Sequence, residues 1–169
     1  MRTNTYNTIL FLVATLFLSV STLHAAVLSF ESTVPSGWTT TNGGNLTISQ
    51  DKAKLGSSSL CWQWSAGSVL TAPESTIQST SSDNNGGITV WIYNTIASDA
   101  SITISFHTAS GESKCSMPFK LNYQGWRCLW ARYREDMGLA NAAKGTITTM
   151  KITAPSSGSG RSILITSNL

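Results

Sequence analysis

Ile88-Thr89-Val90-Trp91-Ile92-Tyr93-Asn94 (ITVWIYN) is the stretch that decides the fold. Ile88, Val90 and Ile92 fall on one side of an extended chain, and Thr89, Trp91 and Tyr93 on the other. Both sides carry bulk, so the segment predicts a central strand, or one whose outer face is covered. The polar run Ser79–Gly87 (STSSDNNGG) before it reads as a loop. Downstream, Ser101–Thr108 (SITISFHT) places Ile102, Ile104 and Phe106 on one face, and Gly125–Tyr133 (GWRCLWARY) alternates again.

The same period-two reading extends in both directions. Val27–Glu31 is a short apolar run, and Leu46–Ser49 alternates after the turn signal Asn42-Gly43-Gly44-Asn45. Ser59–Trp64 sets Leu60, Trp62 and Trp64 on one face, which predicts core. Lys144–Thr153 and Ser162–Thr166 give two more strands. No window past the N-terminal segment keeps an i, i+3, i+4, i+7 stripe, and Gly138 weakens the one helical hint at 135–143. Short strands about ten residues apart with turn residues between them predict an all-β sandwich.

The N-terminal segment stands apart. Ile9–Val20 (ILFLVATLFLSV) is about a dozen apolar residues, the length of a signal-peptide core and short of the ~20 that span a bilayer. Small residues follow at Ala25 and Ala26. Residues 1–25 are read as a signal peptide, with no membrane segment after cleavage, and the chain as secreted or periplasmic. Residues 26–169 are read as one domain, large enough for a buried core.

The formal net charge is +3, or +2 without Arg2, so total charge gives no argument for a nucleic-acid partner. The three cysteines, Cys61, Cys115 and Cys128, allow one disulfide at most. None has the spacing of a redox or zinc motif, and all three are read as small buried hydrophobes.

Titratable residues do not converge into a catalytic pattern. His107 stands at a strand end, where a surface or capping role is expected. There is no Gly-x-Ser-x-Gly elbow and no phosphate-cradling glycine loop. No catalytic residue is assigned.

Aromatics and arginines carry more. Trp126 and Trp130 share a face with Cys128, so at least one is expected in the core. Trp91 and Tyr93 lie opposite the aliphatic face of their strand. They suit either a carbohydrate-binding surface or packing against a neighbouring domain. Arg127, Arg132 and Arg134 form the basic cluster, suited to carboxylates and sulfates or to local pairing with Glu135 and Asp136. Glu31 and Asp51 flank a turn-rich segment whose carbonyls would suit calcium.

Several segments together resemble the N-terminal domain of chondroitin ABC-type polysaccharide lyases. They are Leu28-Ser29-Phe30-Glu31 with Pro35 and Trp38, the run Lys54–Trp64, Val90–Asn94, and Gly125–Trp130 followed by Tyr133, Arg134, Asp136-Met137 and Gly138. The resemblance implies a galactose-binding-like jelly-roll sandwich that precedes a helical catalytic domain acting on glycosaminoglycans. It implies a non-catalytic accessory domain, whose partners are a polysaccharide and a lyase catalytic domain normally in the same chain. It also implies a possible structural calcium, with Glu31, Asp51 and Lys54 loosely matching the cation positions and Thr166 departing from an expected Asp. The chain stops just past a strand, and truncation at that end is expected. A free-standing carbohydrate-binding module and a structural surface protein are the alternative readings.

Overall fold

The computed structural model describes residues 27–28, 30–73, 87–139 and 147–168, with 27–28 and 159–168 described by their backbone alone. The expected signal peptide, the loop at 79–86 and the segment 140–146 lie outside them.

Eleven strands are formed among the described residues: β1 (Val27–Leu28), β2 (Thr39–Thr40), β3 (Asn45–Ser49), β4 (Ser59–Ser65), β5 (Val69–Ala72), β6 (Gly87–Asn94), β7 (Ser101–His107), β8 (Ser113–Lys120), β9 (Gly125–Arg132), β10 (Thr149–Thr153) and β11 (Ser159–Asn168). They make two antiparallel sheets. One is ordered β3-β4-β11-β6-β9, with β1 also pairing β11, and the other β2-β5-β10-β7-β8. Described strands are antiparallel throughout, and no described residue is helical. This is the jelly-roll sandwich of galactose-binding-like type, and ITVWIYN lies centrally in it, between β11 and β9.

The alternation that marks each strand also builds the core. Leu60, Trp62 and Trp64 of β4 and Ile88, Val90 and Ile92 of β6 are all buried. They meet Ile102, Ile104 and Phe106 of β7 and Met150 and Ile152 of β10 from the other sheet. The indole N–H of Trp62 donates to Thr40 Oγ1 at 3.0 Å, so one buried polar group is satisfied across the core.

Three strands were not read from the sequence. β2 has only two residues, Thr39–Thr40. β5 has only four residues. β8 contains Pro118, which removes a ladder donor; it is tolerated because β8 is a sheet edge, with Pro118 opposite Thr103.

A second expectation is corrected at β9. Leu129 and Ala131 are the buried row, and Trp126, Cys128 and Trp130 form the opposite, outward row. Trp126 is half-buried and Trp130 is 65% exposed, so neither belongs to the core. Small Ala131 at 0% exposure marks the true inward row, where an indole finds no space.

Candidate carbohydrate-binding face

The outward face of the sheet β3-β4-β11-β6-β9 gathers most of the candidate residues. Register fixes the neighbours. Thr47 pairs with Cys61, and Asn45 with Gln63, on the β3–β4 side. On the β6–β9 side Tyr93 pairs with Trp126, Trp91 with Cys128 and Thr89 with Trp130. Tyr93 and Trp126 meet edge to face, with ring centroids 5.3 Å apart.

A groove of about 530 Å³ opens on this face, lined by Thr47, Ser49, Asp51, Cys61, Gln63 and Tyr93 among others. Tyr93 therefore joins the groove to the aromatic row of β6 and β9. Hydroxyls and an amide with an aromatic wall suit a polar, ring-shaped ligand. The sequence signal for Cys61 and Gln63 was present, since they alternate with the core residues Leu60, Trp62 and Trp64. Trp130 escapes the sequence pattern because both rows of β9 carry large residues and alternation does not say which faces inward.

Lys54, in the loop between β3 and β4, holds its ammonium 4.2 Å from the centroid of the Trp91 ring. That is a cation–π distance. Trp91 is thus capped, and Trp130 is the open indole of the pair.

The arginines separate. Arg132 shares the outward row with Trp130 and sits 5.9 Å from its ring. Its guanidinium also holds Asp136 at 3.1 and 3.3 Å, with Glu135 at 3.8 Å. Hydrogen bonds from Arg132 hold the Asp136 carboxyl below its usual range. Arg127 falls on the opposite row of β9. It stacks 4.1 Å over Tyr123 and donates to Asn122 Oδ1 at 2.9 Å. Arg134 is exposed in the turn after β9. The structure brings Trp91, Tyr93 and Arg132 to one face and leaves Arg127 and Arg134 off it.

The candidate cation residues are placed as follows. Glu31 is exposed and its carboxylate accepts the backbone N–H and the hydroxyl of Ser57. Those bonds, the hydroxyl's first, hold its carboxyl below the usual range. Gly56, at φ +69°, brings the loop so close that a Cβ there would collide with Glu31 Oε1. Asp51 borders the groove. Among the described residues no three His, Cys, Asp or Glu side chains stand close enough to hold a metal. A calcium ion at Glu31 would have to draw most of its ligands from backbone carbonyls and water.

His107 closes the β7–β8 turn. Its Nδ1 lies 3.0 Å from Gly111 O and its Nε2 2.8 Å from Ser105 Oγ. A carbonyl only accepts, so Nδ1–H donates to Gly111 O. All three described cysteines are free.

The lyase N-terminal family model matches residues 24–166, nearly the whole chain. The chain belongs to the lyase N-terminal family. It is 31% identical over 132 residues to chondroitin sulfate ABC exolyase of Proteus vulgaris, spanning 75% of this chain and 12% of that protein. It is 44% identical over 48 residues to the chondroitin sulfate ABC exolyase of Bacteroides thetaiotaomicron, covering 28% of this chain and 5% of that one. The chain therefore spans a small part of the length of these relatives, the part that stands N-terminal in lyases. Among solved structures, the CBM22-1 xylan-binding domain of Xyn10C from Paenibacillus barcinonensis superposes with a TM-score of 0.54 at 14% identity, covering 85% of this chain and 90% of that one. A family 11 carbohydrate-binding module from Clostridium thermocellum gives 0.50 at 10% identity, over 83% and 91%. At these identities the likeness establishes the fold, a β-sandwich shared with carbohydrate-binding modules.

Proposed function

We propose that this lyase N-terminal domain is a non-catalytic, polysaccharide-binding accessory domain of an exported glycosaminoglycan lyase, acting through the outward face of the β3-β4-β11-β6-β9 sheet. The carrying observation is Trp130, a large indole left 65% exposed on the same face as the groove that Tyr93 lines. An exposed indole beside a polar groove offers a flat apolar face on which a sugar ring can stack. The relatives named for chondroitin sulfate supply the ligand class: chondroitin-type chains of uronate and sulfated amino sugar. A structural calcium at Glu31 belongs to the same reading. Glu31 would give its carboxylate and the 51–54 segment its carbonyl oxygens. Export to the periplasm or medium belongs to it too, and a secreted product lacking residues 1–25 by mass would support it.

Titration calorimetry of the purified chain with chondroitin sulfate and hyaluronan oligosaccharides tests the binding. Heat at micromolar to millimolar ligand is expected, with no gain in the absorbance of unsaturated uronate. Elimination by the chain alone would end the non-catalytic reading.

The exposed Trp130 also supports a second reading, in which this face braces a lyase catalytic domain. A well-folded chain that gives no heat with any oligosaccharide would leave that reading standing and remove the first.

A further inference from the structure

We infer that Lys54 is a specificity-determining residue of this face, reading the carboxylate or sulfate of an acidic sugar while its neighbour stacks on Trp130. The inference rests on the carbohydrate reading above and names what makes that face select acidic chains.

Lys54 belongs to the loop after β3, at the far side of the sheet from β6, yet its ammonium lies over the Trp91 ring. It is exposed, and the ion pairs formed among the described residues engage Lys114 and Arg132, not Lys54. The other cations near the face are differently placed. Arg132 is matched by Asp136 and Glu135. Lys52 shares the groove wall with Asp51. Arg127 turns to Tyr123 on the opposite row. Among the described residues, Lys54 therefore presents a positive charge over an aromatic ring without a carboxylate partner. Its field also reaches Cys128, where it opposes the rise that burial causes in that thiol's pKa.

Trp91 pairs directly with Cys128, and Trp130 is two residues further along β9. Diagonal neighbours of this kind stand ~7–8 Å apart. A sugar ring stacked on Trp130 thus has the next unit of its chain over Lys54. An acidic unit supplies the missing counter-charge at that position. A neutral unit must push the ammonium off Trp91 or desolvate it unpaired, which disfavours neutral chains.

The test compares the full chain with its Lys54→Gln, Lys54→Arg and Trp130→Ala variants, titrated with chondroitin sulfate, unsulfated chondroitin and xylan. The unaltered chain is expected to prefer the acidic polymers to xylan by about tenfold or more, one charge-assisted contact. Lys54→Gln should lose about tenfold on acidic polymer, with unchanged melting temperature and weaker salt dependence. Lys54→Arg should keep most of the affinity, and Trp130→Ala should weaken every ligand. Equal loss on the two acidic polymers assigns Lys54 to the carboxylate they share. Loss confined to the sulfated one assigns it to sulfate. Lys54→Gln binding as well as the unaltered chain overturns this inference and leaves the proposed function intact. An unaltered chain that binds none of the three overturns both.

Discussion

The backbone N–H of Ser57 lies 3.2 and 3.0 Å from the two carboxylate oxygens of Glu31, across 26 residues of chain. This pairing ties the loop before β4 to the segment after β1. It is strongest while the carboxyl is ionised, since both oxygens then accept. Asp136 holds Arg132 under the same condition.

Both carboxyls are held below their ordinary values, so the sign of their linkage is fixed. The stability they give is present above the unfolded-state values, near pH 4–4.5, and is lost as pH falls through the lower folded-state values. Melting temperature should fall on acidification below about pH 4.5. Glu31→Gln and Asp136→Asn should each flatten part of that fall, and the double variant most of it. Both groups are exposed, so the effects are modest. An acid limb unchanged in the double variant would show that other carboxylates carry it.

Asn94 is fully buried at the end of β6, and its Nδ2 faces the carbonyls of Ile96, Leu121 and Tyr123 at 2.7–2.8 Å. It joins the β6–β7 and β8–β9 connections. Asn94→Ala leaves those carbonyls short of a donor in a closed space, at a cost of about 2–3 kcal/mol. Asn94→Asp sets an acceptor against acceptors and should cost more. Urea unfolding with an unchanged slope and a lower midpoint would confirm the order. Asp tolerated as well as Ala would contradict it.

Trp130 and Trp62 make opposite predictions from the same residue type. Trp130→Ala removes an exposed ring and should change stability by less than about 0.5 kcal/mol while weakening polysaccharide binding. Trp62→Ala empties the core at 0% exposure and should cost about 3–5 kcal/mol. Paired denaturation and titration experiments separate the two. A Trp130 variant that unfolds easily would place that ring in a structural role.

How far the sequence carried this reading depended on what period two can tell. ITVWIYN and the Leu60/Trp62/Trp64 row each had an aliphatic or aromatic face beside a mixed one, and the inward row was legible. In β9 both rows held large residues, Trp126 and Trp130 on one and Leu129 on the other. Alternation gives the two faces but not which one is inward, and hydrophobic size pointed to the wrong one. The arginines failed for a related reason. Arg127 and Arg132 are five residues apart, so in a strand they must lie on opposite faces and cannot form one cluster. The Lys54–Trp91 contact was beyond any local pattern, because it depends on a loop folding across the sheet.

The thiols should react in a set order. Burial pushes the Cys115 thiol up to about 11, so it forms almost no thiolate at neutral pH. Cys128 is only half-buried and Cys61 is buried on the outward row. Alkylation of the native chain followed by mass mapping should mark Cys128 first and Cys115 only after unfolding. Early labelling of Cys115 would mean that the β7–β8 edge opens readily.

Calcium gives the last test, and it separates a structural ion from the binding face. Glu31 offers one carboxylate, and the loop offers carbonyls, so affinity in the range of extracellular modules is expected, Kd about 10⁻⁴–10⁻³ M. Calcium at ten times that Kd should stabilise by about 1.4 kcal/mol and raise the melting temperature relative to chain stripped with EGTA. Glu31→Gln should abolish the rise, while Asp136→Asn should leave it. Stacking on Trp130, which the sheet holds, should not follow calcium, while the Lys54 contribution should, since the ion would sit on the loop that carries Lys54. Identical melting in EGTA and in calcium would remove the ion from the account and leave the binding face to be judged by its own titrations.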